Sequence, residues 1–197
     1  GSYCADPTAA VTTYGDISTW DTSEVLSLNS LLYTHCSRRT TFNADISAWE
    51  TSSVTDMNQA FRGATVFNQA LDSWDVGSAT SMYYMFHSAS AFKQALDSWD
   101  VGSVTSMYYM FYYAAAFNQA LDSWDMGRVA SMDFMFLGAY AFNQALGSWD
   151  MGRVTSLKYM FSSAPVFNQA LGSWDVGSVT SLHHMFPSAS ASHQALD

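Results

Sequence analysis

Residues 95–111 read Ala-Leu-Asp-Ser-Trp-Asp-Val-Gly-Ser-Val-Thr-Ser-Met-Tyr-Tyr-Met-Phe, and close variants of this stretch recur along the chain. Its tryptophan belongs to a series that contains every tryptophan of the protein: Trp20, Trp49, Trp74, Trp99, Trp124, Trp149 and Trp174. The first interval is 29 residues and each later one is 25. A fixed period of this length indicates a stack of similar units, in which each unit buries its apolar face against its neighbours.

Each unit changes its apolar period partway along. Leu96, Trp99 and Val101 follow the pattern of a short strand. Apolar residues then follow at helical spacing, after Ser103 as the expected N-cap: Val104, Met107, Met110, Phe111 and Ala114. The sequence therefore predicts an α/β solenoid, a right-handed stack of about seven 25-residue strand–turn–helix units. Parallel strands should centre on the tryptophans, and each tryptophan should be buried.

Composition excludes several classes of function. Lys and Arg total 7 against 17 Asp and Glu, so the net charge is −10. This balance argues against nucleic acid and anionic lipid as partners, because both require a basic surface. No apolar run approaches the roughly 18 residues that a membrane span requires.

Both cysteines, Cys4 and Cys36, precede the regular repeats. Their position favours one disulfide that braces the N-terminal end, and hence an oxidising compartment. Two free buried thiols are the alternative. We expect a capping unit over residues 1–42 and an array of repeats over 43–197, together forming one continuous domain.

Units of the form Phe-Asn-Gln-Ala-Leu-Asp-Ser-Trp-Asp-Val-x-x-Val-Thr-x-Met-x-x-Met-Phe-x-x-Ala resemble the BspA-like leucine-rich repeats, over roughly residues 16–197. The resemblance implies a secreted or surface-displayed protein that adheres to other proteins or cells without catalysis. The chain departs from the usual pattern at Gly102 and its equivalents, where Ser is common, and at an Ala-Leu pair, where Asp-Ile is common. These departures weaken the transfer of any binding partner.

An enzyme is not expected, because repeats place the same side chain in nearly the same environment many times over. No cofactor is expected either. His87, His183 and His184 would bind a metal only if the fold brought together residues several units apart. We expect them to lie on the surface.

Two polar columns recur with the repeat. Asn43, Asn68, Asn118, Asn143 and Asn168 form the first, which is interrupted by Lys93, ends at His193 and should satisfy backbone groups between layers. The second follows the tryptophans: Asp75, Asp100, Asp125, Asp150 and Asp175. These aspartates suit turn caps that accept from backbone amides near Gly102. The alternative is a column that binds cations such as Ca²⁺, or a basic partner.

The predicted helical side is where the units differ, so specificity should be sought there. Its outward positions carry an aromatic surface with almost no charge: Tyr83, Tyr84, Tyr108, Tyr109, Tyr112, Tyr113, Phe134, Leu137 and Tyr159. Such surfaces mark interfaces, and the competing interpretation is that the rings simply seal neighbouring units.

The last unit should end on an apolar face made by Trp174, Val176, Val179, Leu182 and Phe186. We expect this edge to be covered, either by further repeats of a longer array or by another chain, unless residues 188–193 fold over it. The leading hypothesis is a non-catalytic interaction or adhesion scaffold at the cell surface, outside the cell or in an oxidising organelle lumen. It would bind another protein through the aromatic surface or the open end. The alternatives are an accessory structural subunit of a larger, membrane-bound assembly and a cation-binding adhesion module that uses the Asp column.

Overall fold

The computed structural model describes residues 2–34, 36 and 38–186. Two α-helices open the chain, α1 (Ser2–Ala5) and α2 (Pro7–Tyr14), and two single-turn 3₁₀ helices follow at Ile17–Thr19 and Arg39–Thr41. Helix α2 begins where Asp6 accepts a hydrogen bond from the Ala9 amide at 3.0 Å, and Gly15 ends it at a φ of 77°.

A disulfide joins Cys4 to Cys36, the pairing expected from the sequence. Both cysteines are buried, and the bridge fastens α1 to the beginning of the stack. Tyr3, next to the bridge, packs edge-on against Trp20 and Phe42, with ring centroids 6.1 Å apart in each pair. The N-terminal helices therefore cover the first repeat unit of the stack.

Successive 25-residue units form a stack of coils. Parallel β-bridges link one residue of each coil to its equivalent in the next: Ser27, Asp56, Ser81, Ser106, Ser131, Ser156 and Ser181. Further backbone hydrogen bonds between neighbouring coils follow these bridges. For example, the Tyr109 amide donates to the Asp133 carbonyl at 3.1 Å. Leucine-rich-repeat character and right-handed winding stay predictions.

After Ser103, where the sequence predicts a short helix or helical turns, the structure has a series of β-turns. The amides of Met107, Tyr109, Phe111 and Tyr113 donate to the next coil, while those of Met110, Tyr112 and Ala114 close turns to the residue three positions back. Tyr109 and Tyr113 have positive φ angles of 59° and 52°, which a right-handed helix does not contain. The apolar residues at helical spacing still point inward, and all five are fully buried.

The described residues form no strand at the tryptophans, where the sequence predicts one. The parallel bridges lie instead at Ser106 and its equivalents. Side chains hold neighbouring coils together near the tryptophans. Trp124 Nε1 donates to the Leu96 carbonyl at 2.9 Å, and Ser123 Oγ donates to the Asp97 carbonyl at 2.8 Å. Six of the seven tryptophans are buried as predicted, whereas Trp20 in the first coil is partly exposed.

The stack is wedge-shaped in cross-section. Stacked rings repeat once per coil, so the distance between ring centroids measures the separation of coils at that point. Equivalent tryptophans lie 6.4–6.5 Å apart, and the column of Phe111 repeats at 5.6 Å. The column of Tyr84, Tyr109, Phe134 and Tyr159 repeats at 4.5–4.9 Å, close to the roughly 4.8 Å spacing of β-sheets, and the neighbouring pair Tyr83 and Tyr108 is 5.5 Å apart.

We therefore call residues 105–113 and their equivalents the narrow side, and residues 96–101 and their equivalents the wide side. Backbone hydrogen bonds hold the coils close together on the narrow side. Longer side-chain bridges allow greater separation on the wide side. The stack consequently curves with its narrow side inward.

Candidate interaction surface

The nine residues that the sequence analysis proposed as an interaction surface lie together on the narrow side. We call them the aromatic strip: Tyr83, Tyr84, Tyr108, Tyr109, Tyr112, Tyr113, Phe134, Leu137 and Tyr159. Eight are partly exposed and Tyr113 is 38% exposed. The strip therefore lies on the inner side of the curve rather than on outward helices, because its backbone forms the coil-to-coil ladder.

A continuous ladder of stacked rings runs through the middle of the strip. Ring centroids are 4.6 Å apart for Tyr84 and Tyr109, 4.5 Å for Tyr109 and Phe134, and 4.9 Å for Phe134 and Tyr159, with planes within 9° of parallel. Because the faces pack against one another, the ladder presents ring edges and phenol groups at its surface. His184 continues the ladder at 5.2 Å from Tyr159.

The backbone beneath this ladder adopts a conformation that non-glycine residues seldom take. Tyr84, Tyr109, Phe134 and Tyr159 have φ angles between 56° and 61°. A left-handed conformation costs a residue with a Cβ about 1–2 kcal/mol. Coil-to-coil hydrogen bonds and ring stacking offset this cost, so the rings are held in one defined arrangement.

The guanidinium group of Arg62 lies against Tyr84, the first ring of the ladder. The Arg62 guanidinium lies 4.8 Å from the Tyr84 ring centroid and 4.1 Å from that of Tyr33. Its Nη1 also donates to Gln59 Oε1 at 2.7 Å. The strip therefore begins at a guanidinium held between two aromatic rings.

His87 lies beside the strip and is partly buried, rather than on the open surface that the sequence suggested. It stacks on Tyr112 with centroids 4.6 Å apart, and its Nδ1 lies 3.0 Å from Ser88 Oγ. Burial, aided by the charge of Arg62, lowers the pKa of His87 to about 4. Burial raises the pKa of Tyr84 to about 12 and also raises the pKa of Tyr109 and Tyr112. These groups are therefore neutral at pH 7.

The position of the Tyr113 ring depends on the absence of a side chain at Gly138 in the next coil. A Cβ placed on Gly138 would lie 2.9 Å from the Tyr113 ring. Tyr140, which is 47% exposed, meets Tyr113 edge-on at 6.1 Å. Gly138 thus provides space for the Tyr113 ring, and the exposed Tyr140 packs beside that ring.

The Asp column lies exposed on the wide side, and each carboxylate caps a turn. Oδ1 of Asp75, Asp100, Asp125, Asp150 and Asp175 accepts from the amide two residues later, at 2.9–3.0 Å. A Cβ on Gly102 would lie 3.2 Å from Asp100 Oδ1 and 3.3 Å from Asp125 Oδ2, so a glycine lets the two carboxylates approach. Within the described residues, no three His, Cys, Asp or Glu side chains are placed to hold a metal ion.

The Asn column bridges coils on another edge. Asn143 Oδ1 accepts from the Asn168 amide at 2.9 Å, and Asn68 Oδ1 accepts from the Lys93 amide at 3.0 Å. Lys93 uses only its backbone here, which explains why a lysine is tolerated. His193 lies outside the described residues.

The last described coil exposes apolar side chains that are covered in the inner coils. Leu182 is 41% exposed, whereas Leu157 at the same position is fully buried. Val176, Val179 and Phe186 are partly exposed and Trp174 is buried. Residues 188–193, the expected alternative cover, lie outside the described residues. None of the helices that the structure describes is long and apolar enough to span a bilayer.

Sequence comparison assigns the chain to a family. Two overlapping segments, residues 6–122 and 93–197, match the same family of repeat-bearing proteins. No curated protein and no solved structure matches the chain. Because the two segments together cover nearly its whole length, the chain belongs to the family described as Mycoplasma protein of unknown function, DUF285.

Proposed function

We propose that the protein is a non-catalytic interaction scaffold that binds another protein through the aromatic strip. The observation that carries this proposal is that nine residues from variable positions of separate repeats form one partly exposed strip on the narrow side. Aromatic side chains are enriched where protein surfaces recognise one another. The BspA-like pattern supports an adhesive role, and the Cys4–Cys36 disulfide supports a site outside the cytosol.

Some tyrosines of the strip also stand where another coil carries a side chain that hydrogen-bonds to the next coil. In the column that contains Tyr83 and Tyr108, an earlier coil has Asn58, whose Oδ1 accepts from the Tyr83 amide at 2.8 Å. A tyrosine ring offers no such acceptor at this place. Two successive tyrosines therefore forgo a structural hydrogen bond, which is expected where a surface serves binding.

Variation between coils is concentrated on the same side. The column of Tyr108 contains Asn29, Asn58, Tyr83, Tyr108, Asp133, Lys158 and His183. On the wide side, by contrast, Ser and Asp recur at the positions of Ser98 and Asp100 in nearly every unit. A surface that differs from coil to coil can distinguish partners, whereas a repeated one serves mainly the fold.

Capture from native extract tests the proposal. Immobilised wild type should retain a partner that the double variant Tyr112→Ser, Tyr113→Ser loses. The control, Tyr14→Ser with Val166→Ser, removes two exposed apolar side chains outside the strip and should retain the partner. Equal capture by all three proteins, or loss only in the control, would contradict the proposal.

Exposure of Leu182 favours a second candidate, an accessory structural subunit that associates through its last coil. Leu182→Lys should abolish concentration-dependent association in light scattering across a dilution series while the fold is retained. A wild-type chain that stays monomeric throughout the series would refute this candidate.

A further inference from the structure

A cleft lies between the N-terminal helices and the coil that begins near Phe42. Its volume is about 330 Å³, which falls within the range of roughly 300–1,000 Å³ that small-molecule sites occupy. Tyr3 and Pro7 line the cleft from the helices, and Phe42 lines it from the stack. The disulfide between Cys4 and Cys36 also borders it. The walls are therefore largely apolar, and a covalent bond joins the two sides.

The cleft occupies the place of a side chain that the later coils carry. Five glutamines, one in each of five successive coils, donate through Nε2 to a backbone carbonyl of the preceding coil at 2.7–3.2 Å: Gln69, Gln94, Gln119, Gln144 and Gln169. The equivalent residue one coil before Gln69 is Ala44, and Ala44 lines the cleft. An alanine does not fill the space that a glutamine would reach across, so the cleft stays open there.

One backbone amide is directed toward this cleft. The Asn68 amide donates to Asn43 Oδ1 at 2.8 Å, and the Asn168 amide donates to Asn143 Oδ1 at 2.9 Å, so the amides of this column point toward the preceding coil. Asn43 begins the column and lines the cleft, so the same geometry points its amide toward the N-terminal helices. Among the residues that the structure describes, none accepts a hydrogen bond from it. A ligand oxygen would take the place that an asparagine Oδ1 has in later coils.

An arginine adds positive charge to the same cleft. Arg38 lines it and is exposed, and the Arg38 carbonyl accepts from the Thr41 amide at 2.9 Å, which fixes its backbone in a turn. A guanidinium presents paired N–H donors that match the two oxygens of a carboxylate. The amide of Asn43 and the guanidinium of Arg38 are both donors, so the cleft favours an anionic acceptor even though the net charge of the protein is −10.

We propose that this cleft binds a carboxylate that carries an apolar group. The carboxylate oxygens would accept from the Asn43 amide and the Arg38 guanidinium. The apolar group would lie against Tyr3, Pro7 and Phe42. A free carboxylic acid and the C-terminal carboxylate of a peptide share this chemistry. The proposal goes beyond the aromatic strip and does not depend on it, because none of the cleft residues belongs to the strip.

Nuclear magnetic resonance titration of the full, disulfide-bonded chain tests the cleft. The first probe is 3-phenylpropanoate, and 3-phenylpropanol is its uncharged control. We expect saturable shifts at the amides of Asn43 and Ala44 with the carboxylate, and binding about tenfold weaker with the alcohol. Acetyl-Gly-Phe distinguishes the two sources of the carboxylate. Tighter binding than that of 3-phenylpropanoate identifies a peptide terminus, and weaker binding identifies a free acid.

Two variants locate the binding site. Ala44→Gln introduces the side chain that the later coils carry, so it should fill the cleft and abolish binding while the melting temperature stays equal or rises. Arg38→Gln should weaken binding of 3-phenylpropanoate about tenfold. Its matched control, Arg128→Gln, removes the same charge at an exposed position of a later coil and should change the affinity by less than about twofold.

Four results would overturn the proposal: no saturable shift with either carboxylate, equal affinity for 3-phenylpropanoate and 3-phenylpropanol, unchanged binding by a folded Ala44→Gln variant, or equal weakening by Arg38→Gln and Arg128→Gln. If Ala44→Gln does not fold, the comparison of the two arginine variants decides. The capture experiment on the aromatic strip is read separately, and its outcome leaves this proposal unaffected.

Discussion

At the scale of single residues, Trp124 contributes both packing and a hydrogen bond between coils. Its ring is buried, it stacks on Trp99 at 6.5 Å, and its Nε1 donates to the Leu96 carbonyl. Trp124→Ala should lower the free energy of unfolding by about 3–5 kcal/mol, as large aromatic truncations in a core do. Urea denaturation measures this loss. The partly exposed Trp20, bonded at only 3.4 Å, is the control, and a Trp20→Ala loss as large as that of Trp124→Ala would contradict the argument.

Gly138 is the glycine that the aromatic strip most depends on. Its φ is 68°, and a Cβ would meet the Tyr113 ring at 2.9 Å. Gly138→Ala should destabilise the protein by about 1–3 kcal/mol through backbone strain and overpacking. Gly172 has nothing within 4 Å of such a Cβ, so Gly172→Ala should be neutral or slightly stabilising. Equal melting temperatures for the two variants would show that Tyr113 does not occupy the space over Gly138.

His87 should make stability depend on pH in mildly acidic solution. Burial and Arg62 lower its pKa from 6.5 to about 4, so below pH 6.5 the unfolded chain binds the proton more readily than the folded one. The melting temperature should therefore fall between pH 6.5 and 4. Below pH 4, further loss of stability comes instead from carboxylates such as Asp45, whose pKa is lowered in the folded chain. Their contribution to stability disappears as they become protonated.

The variant His87→Gln isolates this contribution. Its melting temperature should change less than that of wild type between pH 7 and 5, and His183→Gln, at an exposed position, should behave as wild type. Parallel pH profiles for wild type and His87→Gln would show that His87 does not titrate in this range on unfolding.

At the scale of the single coil, the sequence predicts burial better than it predicts backbone conformation. Val104, Met107, Met110, Phe111 and Ala114 are all buried as their spacing required. Spacings of three and four residues follow from a helix and equally from successive turns, so the pattern does not distinguish them. The deciding feature is the positive φ of Tyr109 and Tyr113, which a bulky tyrosine gives no reason to expect.

The clustering of the aromatic strip on one side was predictable in part for a related reason. Tyr84, Tyr109 and Tyr159 depart from the purely structural columns, and that departure is visible in the sequence. Asp133 was not singled out, although its column has a carboxylate where Asn58 has an amide. What the sequence did not show is that this carboxylate is buried.

The turns of the wide side give a prediction at this scale. Asp100→Asn keeps an acceptor for the Gly102 amide and removes one member of a like-charged column, so stability should stay equal or rise slightly at low salt. Asp100→Ala loses the acceptor and should unfold at lower urea concentration. Addition of Ca²⁺ should leave the melting temperature of wild type unchanged. A Ca²⁺-dependent rise that Asp100→Asn abolishes would favour the cation-binding alternative instead.

At the scale of the whole molecule, the N-terminal cap depends on the disulfide. Cys4 and Cys36 are 32 residues apart, and closing a loop of this length stabilises the folded chain by about 3–4 kcal/mol. The double variant Cys4→Ser, Cys36→Ser should therefore melt lower. Hydrogen exchange should accelerate first in residues 2–14, because the later coils retain their own bonds. Acceleration that begins in the middle of the stack would contradict a capping role.

We propose above that the protein binds another protein through the aromatic strip on the inner side of the stack. Hydroxyl-radical footprinting of the captured complex, read by mass spectrometry, tests this claim most directly because tyrosine side chains report their own exposure. Oxidation of Tyr112 and Tyr113 should fall on binding, while that of the exposed Tyr14, outside the strip, should stay the same. Protection of Tyr14 with unchanged oxidation of Tyr112 and Tyr113 would contradict the account.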